Sequence, residues 1–134
     1  MAQINYRLNP KPSYSERMTD TRAELRKLIR EELCQITQDA SATMSWSRRS
    51  YMKKVVMRYH VRIEGWPLAD VPFRNLSNVP NLGSLEMLLH GWKEGSIRFV
   101  RLVDEQYHSM LADPTPWIGP AVGGAPEEEE ETED

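Results

Sequence analysis

Hydrophobic residues recur at helical spacing in three segments of this chain. A period of three to four residues places apolar side chains on one face of an amphipathic helix. In the first segment, within residues 13–38, these are Leu25, Leu28, Ile29, Leu33 and Ile36. In the second, over residues 47–59, they are Tyr51, Met52, Val55, Val56 and Tyr59. In the third, from residue 82 to residue 95, they are Leu82, Leu85, Leu88, Leu89 and Trp92.

The expected ends of these helices follow from capping chemistry. A Ser or Thr followed three residues later by Glu can form a capping box. Ser13 with Glu16, or Thr21 with Glu24, therefore predicts the start of the first helix. Ser84 and Gly95 predict the cap and the end of the third.

Two short segments favour strands over helices. HVRI, at 60–63, alternates polar and apolar residues, and SIRFVRLV, at 96–103, is rich in β-branched and aromatic residues. In the latter, Ile97 and Phe99 should point inward and Arg98 outward. A last helix within 104–113 would be capped by Asp104. The order helix, helix, strand, helix, strand, helix predicts a small, mostly helical α+β domain with about four helices and two short strands.

Between the second and third helices, Gly65, Trp66 and Pro67 form an unusual apolar break. Glycine permits a turn, and proline holds the residue before it in an extended conformation. The indole is thus aimed by its neighbours, which favours a plug in the core over a surface binding platform. Val71, Phe73 and Leu76 should hold down the loop that follows.

The C-terminal composition marks the edge of the domain. The last eight residues, EEEEETED, include seven acids, and PTPWIGPAVGGAP before them is rich in Pro and Gly. We expect a flexible N-terminus over 1–14, one globular domain over 15–113 that is best defined over 45–103, and a disordered acidic tail over 114–134. A single cysteine, no signal-like N-terminus and no long apolar run predict an intracellular protein, nuclear or cytoplasmic, away from the membrane.

Charge is segregated along the chain. Setting aside the seven tail acids leaves thirteen acids against seventeen Lys and Arg, a net charge of +4. Residues 45–63 contain no acid and six cations: Arg48, Arg49, Lys53, Lys54, Arg58 and Arg62. This imbalance predicts contact with the phosphates of DNA or another nucleic acid, with the acidic tail competing for the same face. One alternative is that the basic residues are only a solvated face. Another is that the protein is an interaction module that binds its partner through the 15–37 helix or the central domain.

Known catalytic and ligand-binding motifs are not apparent. The glycines do not form a phosphate-binding loop, and the three histidines lack metal-like spacing with Cys34. No nucleophile with a base and an orienting partner can be identified. We therefore expect a protein that is not an enzyme and that needs neither a cofactor nor a metal.

Residues 46–102 resemble a family of uncharacterised proteins found in mushroom-forming fungi. The matching features are Tyr51, Val56, Tyr59, Val61, GWP at 65–67, VPF at 71–73, Asn75, Ser77, Leu85, Leu88, Gly95 and FVRL at 99–102. The chain departs from the pattern at His60, where glycine is usual, and at Leu76, where proline is usual. The resemblance implies that these residues form one domain, and it carries no established activity.

Overall fold

The computed structural model describes residues 13–120. Its first helix, α1 (Tyr14–Thr37), begins with a complete capping box. The backbone N–H of Glu16 donates to Ser13 Oγ at 3.1 Å, and the N–H of Ser13 donates to the Glu16 carboxylate at 2.8 Å. Of the two predicted capping boxes, the one at Ser13 forms, so that Ser13 and Tyr14, which were predicted to lie in the flexible N-terminus, belong to α1 and its cap. Residues 1–12 lie outside the described residues.

The second helix contains a wide turn. It comprises an α-helical piece Arg48–Tyr51, a π-helical piece Met52–Val56 and a last turn Met57–Tyr59, together called α2. The Ser47 hydroxyl caps it by accepting the N–H of Ser50 at 3.2 Å. It ends where His60 takes a left-handed conformation with φ of 57°, and strand β1 (Val61–Glu64) follows directly.

The remaining elements include the predicted helix, strand and helix, with small corrections at their starts, together with a 3₁₀ turn and a last short helix that were not predicted. They are a 3₁₀ turn (Leu76–Asn78), α3 (Leu82–Glu94), β2 (Arg98–Arg101), α4 (Asp104–Ala112) and α5 (Thr115–Ile118). Asn81, and not Ser84, caps α3, because its side chain accepts the N–H of Ser84 at 2.7 Å. Asp104 is the first residue of α4 and lies after its cap. The prediction of a small, mostly helical α+β fold with a two-stranded sheet is confirmed.

The sheet is an antiparallel pair that packs on the second half of α1. Val61 pairs with Arg101, and Ile63 pairs with Phe99. Ile97 and Phe99 are buried and Arg98 is exposed, as predicted. The N–H of Phe99 donates to the Glu32 carboxylate at 3.2 Å, which ties β2 to α1.

The apolar stripe of α1 is covered by its own domain. Leu25, Ile29 and Leu33 are fully buried, and α3 runs alongside in the same direction. Surface ion pairs mark that register, Arg17 with Glu86 at 3.0 Å and Lys93 with Glu24 at 2.7 Å. The apolar stripe of α1 therefore packs mainly within its own domain, and a protein partner that binds through the 15–37 helix stays a prediction.

Trp66 is the core plug that its neighbours predict. Its side chain is buried, its Nε1–H donates to the carbonyl of Val71 at 2.8 Å, and its ring lies 5.8 Å from that of Trp46. Gly65 has φ of +87°, and a Cβ there would lie 1.9 Å from the carbonyl oxygen of Ser96. Only glycine fits this crossing of two backbone segments.

The C-terminal part of the fold extends past the predicted boundary at residue 113. Residues 113–120, called the strap from here on, include α5 and return to the body of the domain. Ile118 is buried in the core, and Trp117 packs against it. The interpretation of this stretch as a flexible connector is wrong for 114–120. The predicted disordered tail beyond it, residues 121–134, lies outside the described residues. Among the helices of residues 13–120, none is long and apolar enough to cross a membrane.

Candidate nucleic-acid interface

The basic helix α2 has one buried side and one exposed side. Tyr51, Val55 and Val56 are fully buried and fix the helix against the sheet. The Tyr51 hydroxyl accepts the N–H of Ile63 at 2.8 Å, and burial raises the pKa of this hydroxyl. Tyr51 precedes Val55 and Val56 by four and five residues. The wider π turn brings this spacing onto one side of the helix, so all three side chains face the core.

Four of the six predicted phosphate-binding residues lie on the other side. Arg49, Lys53 and Arg58 are exposed, and Lys54 is half-buried. Arg49 and Lys53 are four residues apart, as are Lys54 and Arg58, so that the cations form two adjacent rows along the helix. We call these four residues the basic face.

Arg62, which the sequence also predicts to meet phosphates, is buried and does not belong to the basic face. It is only 6% exposed, and its Nε donates to the Glu64 carboxylate at 2.5 Å. The Trp117 ring covers its guanidinium, whose central carbon lies 4.1 Å from the ring centre. The alternation along β1 sends Arg62 to the sheet face opposite Ile63, and the strap covers that face.

Arg48 is also engaged by the strap. It is half-buried, and its Nη1 donates to the carbonyl of Gly119 at 2.6 Å. Asp113 lies nearby, and its pKa is lowered first by hydrogen bonds from Thr115 and also by the charge of Arg48. Sequence reasoning missed the strap; its one signal was a Trp-Ile pair within an otherwise Pro- and Gly-rich stretch.

An acidic group borders the end of the basic face. The Tyr59 hydroxyl donates to Asp39 at 2.7 Å, and the guanidinium carbon of Arg58 lies 5.2 Å from the centre of the Tyr59 ring. The pKa of Asp39 is lowered to about 2, chiefly by the hydrogen bond from the Ser41 hydroxyl and next by the hydrogen bond from Tyr59. A carboxylate that stays ionised here limits how far the positive potential extends beyond Arg58.

The other reactive side chains are engaged in local contacts. The Cys34 thiol donates to the carbonyl of Ala42 at 3.3 Å, beside an open depression at the end of α1. His60 stacks on Tyr107 at 3.9 Å, and His90 lies 3.3 Å from Glu94. Within residues 13–120, no group of three or more His, Cys, Asp or Glu side chains could hold a metal ion.

Comparison with known proteins adds no relative. No protein-family model, curated protein or solved structure matches the chain. The resemblance to fungal proteins stays a prediction that rests on the residues quoted for it.

Proposed function

We propose that this protein is a non-enzymatic domain that binds the backbone phosphates of nucleic acid through the basic face of α2. The observation that carries the proposal is a helix with four cations on its outer side, within a 19-residue stretch, 45–63, that contains no acid. Like charges four residues apart on a helix repel each other. A polyanion that follows the helix would relieve this repulsion and release its own counterions.

The proposed contact is independent of base sequence. Lys53 and Arg58 reach phosphates on long side chains, whereas base readout needs a set of hydrogen-bonding groups placed in a groove. Four phosphate contacts predict that log affinity for duplex DNA falls against log salt with a slope of about −3.6. We therefore expect similar affinities for unrelated DNA sequences.

A matched pair of variants tests the location of the contact. The variant Arg49→Gln with Lys53→Gln removes two charges from the basic face. The control, Arg17→Gln with Lys93→Gln, removes two charges from exposed positions on α1 and α3. The first variant should flatten the salt slope by about 1.8, and the control should leave it unchanged. An equal effect of both variants would show that the salt slope depends on the overall charge of the protein and not on the basic face.

The acidic tail is proposed to modulate this binding. Seven acids within residues 127–134 follow the strap, whose end contacts Arg48 at the start of α2. A tethered anion competes at high effective concentration, most strongly at low salt. Deleting residues 127–134 should tighten DNA binding, with a larger gain at low salt than at high salt. Equal affinities with and without these residues would show that the tail does not modulate DNA binding.

A protein-interaction module with no nucleic-acid role is the second candidate, and exposed apolar residues at the cap of α4 and in its last turn favour it. Val103, Tyr107 and Leu111 recur every four residues, and Val103 and Leu111 are 63% and 37% exposed. On this alternative the basic face would meet an acidic protein surface. Polyglutamate provides the probe: binding to it in the absence of DNA affinity would favour this candidate.

A further inference from the structure

The strap covers two of the cations that the sequence groups with the basic face. Trp117 lies over the guanidinium of Arg62, and the carbonyl of Gly119 accepts from Arg48. These two strap residues are only two positions apart, so one short segment occupies both arginines. Beyond residue 120 the same segment continues into the stretch that carries the seven tail acids.

The cover leaves Arg62 incompletely satisfied. Its Nε is paired with Glu64, but its Nη1 is buried without a hydrogen-bond partner among the described residues. A buried guanidinium N–H without an acceptor is unfavourable, because it has lost water and gained nothing in exchange. The aromatic ring above it recovers part of that loss through its negative face. The closed strap thus shields a cation that retains the capacity to bind an oxygen anion.

We propose that Arg48 and Arg62 are a second, covered anion-binding pair, and that the strap is an autoinhibitory segment that competes with phosphate groups for them. The inference rests on the proposed function, because the phosphates belong to the same nucleic-acid backbone that meets the basic face. Opening the strap frees the side chain of Arg48 from Gly119 and uncovers Nη1 of Arg62, while Glu64 keeps its contact with Nε.

The strap is suited to opening because, among the described residues, it is held mainly by Ile118 in the core, by Trp117 on Arg62 and by Gly119 on Arg48. Its core contacts are the buried Ile118 and the half-buried Trp117, and its helix α5 has only four residues. Asp113 and Thr115 form a hydrogen bond of 3.1 Å within the segment, which does not attach it to the body. When a closed state must open before binding, the apparent affinity falls by the fraction of molecules that are open. Weakening the strap should therefore tighten binding, because it raises the fraction of molecules in which Arg48 and Arg62 are open to phosphates.

Full-length variants with the acidic tail intact test the proposal. Trp117→Ala removes the ring over Arg62, and Ile118→Ala loosens the strap through a different residue. Pro116→Ala is the matched control, since Pro116 lies exposed in the same helix. Affinity for a duplex DNA oligonucleotide is measured as a function of salt, and circular dichroism checks that each variant is folded.

We expect Trp117→Ala and Ile118→Ala to bind at least fivefold tighter than the parent chain and Pro116→Ala to bind like it. The gain should shrink when Arg48→Gln is added, because one of the uncovered contacts is then missing. Folded variants that bind no tighter than the control would overturn the autoinhibitory role while the proposed function stands. Absence of DNA binding by the parent and all variants would overturn both.

Discussion

The guanidinium of Arg62 lies beneath the ring of Trp117, with its central carbon 4.1 Å from the ring centre. This contact joins strand β1 to the strap across 55 positions of sequence. It buries a charge that the sequence pattern places among the predicted phosphate-binding cations. The same contact anchors the strap, and together with the hydrogen bond from Arg48 to Gly119 it leaves four residues on the basic face.

Arg62 should contribute to stability as well as to this contact. Arg62→Ala removes the packing under Trp117 and leaves Glu64 without its partner, so we expect a loss of about 1–3 kcal/mol in the free energy of unfolding. The control Lys53→Ala, on the exposed side of α2, should change it by less than about 0.5 kcal/mol. Urea denaturation measures both variants, and equal losses would show that Arg62 contributes no more than a surface cation.

Trp66 should be among the most costly residues to truncate. Trp66→Ala leaves a cavity beside Trp46 and Phe73 and removes the donor to Val71, with an expected cost of about 3–5 kcal/mol. Trp66→Phe retains much of the packing and should cost less. Thermal unfolding followed by circular dichroism gives the comparison, and an unchanged melting temperature for Trp66→Ala would contradict the plug.

Two glycines with nearly equal φ form a matched pair. Gly65 and Gly95 have φ of +87° and +88°, but a Cβ would meet the Ser96 carbonyl at 1.9 Å only at Gly65, whereas nothing lies within 4 Å at Gly95. Gly95→Ala should cost about 1–2 kcal/mol from backbone strain alone. Gly65→Ala adds a backbone clash and should cost at least about 2 kcal/mol more. Similar unfolding free energies for the two variants would rule out the close crossing at residue 65.

Glu32 should make the domain less stable as pH rises through its folded pKa. Burial raises the pKa of this carboxyl above 4.5, against the opposing effects of the Phe99 N–H and Arg98. Its contribution is therefore present at pH below 4.5 and is lost once the folded pKa is exceeded. Glu32→Gln retains an acceptor for Phe99 without the charge. It should be at least as stable as the parent at pH 7, with any advantage vanishing below about pH 4.

A clear loss of stability in Glu32→Gln at pH 7 would contradict this account of Glu32. It would mean that the ionised carboxylate stabilises the junction between α1 and β2. Chemical denaturation of both proteins at several pH values, analysed as the difference between them, removes the contribution of the other titrating groups.

Apart from α5 and the 3₁₀ turn, the helices and strands were predictable because they follow from local sequence patterns. The apolar positions of α1, α2 and α3 recur every three to four residues, and Trp66 is aimed by the glycine and proline on either side of it. The π turn in α2 was not predicted, because Met52, Val55 and Val56 fit an α-helical spacing as well as a wider one.

The candidate site was less predictable than the fold, for a physical reason. Alternation along β1 separates Arg62 from Ile63, and in a two-stranded sheet the second face is open to water unless another segment covers it. That cover comes from Trp117, and no local pattern near β1 indicates its return. Composition also argued against such a cover, because the Pro and Gly residues around Trp117 are typical of linkers. In this segment, however, Trp117 and Ile118 attach the chain to the domain.

The most direct test of the central claim is the affinity for duplex DNA, at several salt concentrations, of the chain without the competing acids of residues 127–134. Four phosphate contacts on the basic face predict that log affinity falls linearly against log salt with a slope of about −3.6, on each of two unrelated sequences. The variant Arg49→Gln with Lys53→Gln should halve that slope. An affinity that does not change with salt, or no binding at the lowest salt, would contradict a nucleic-acid-binding role for α2.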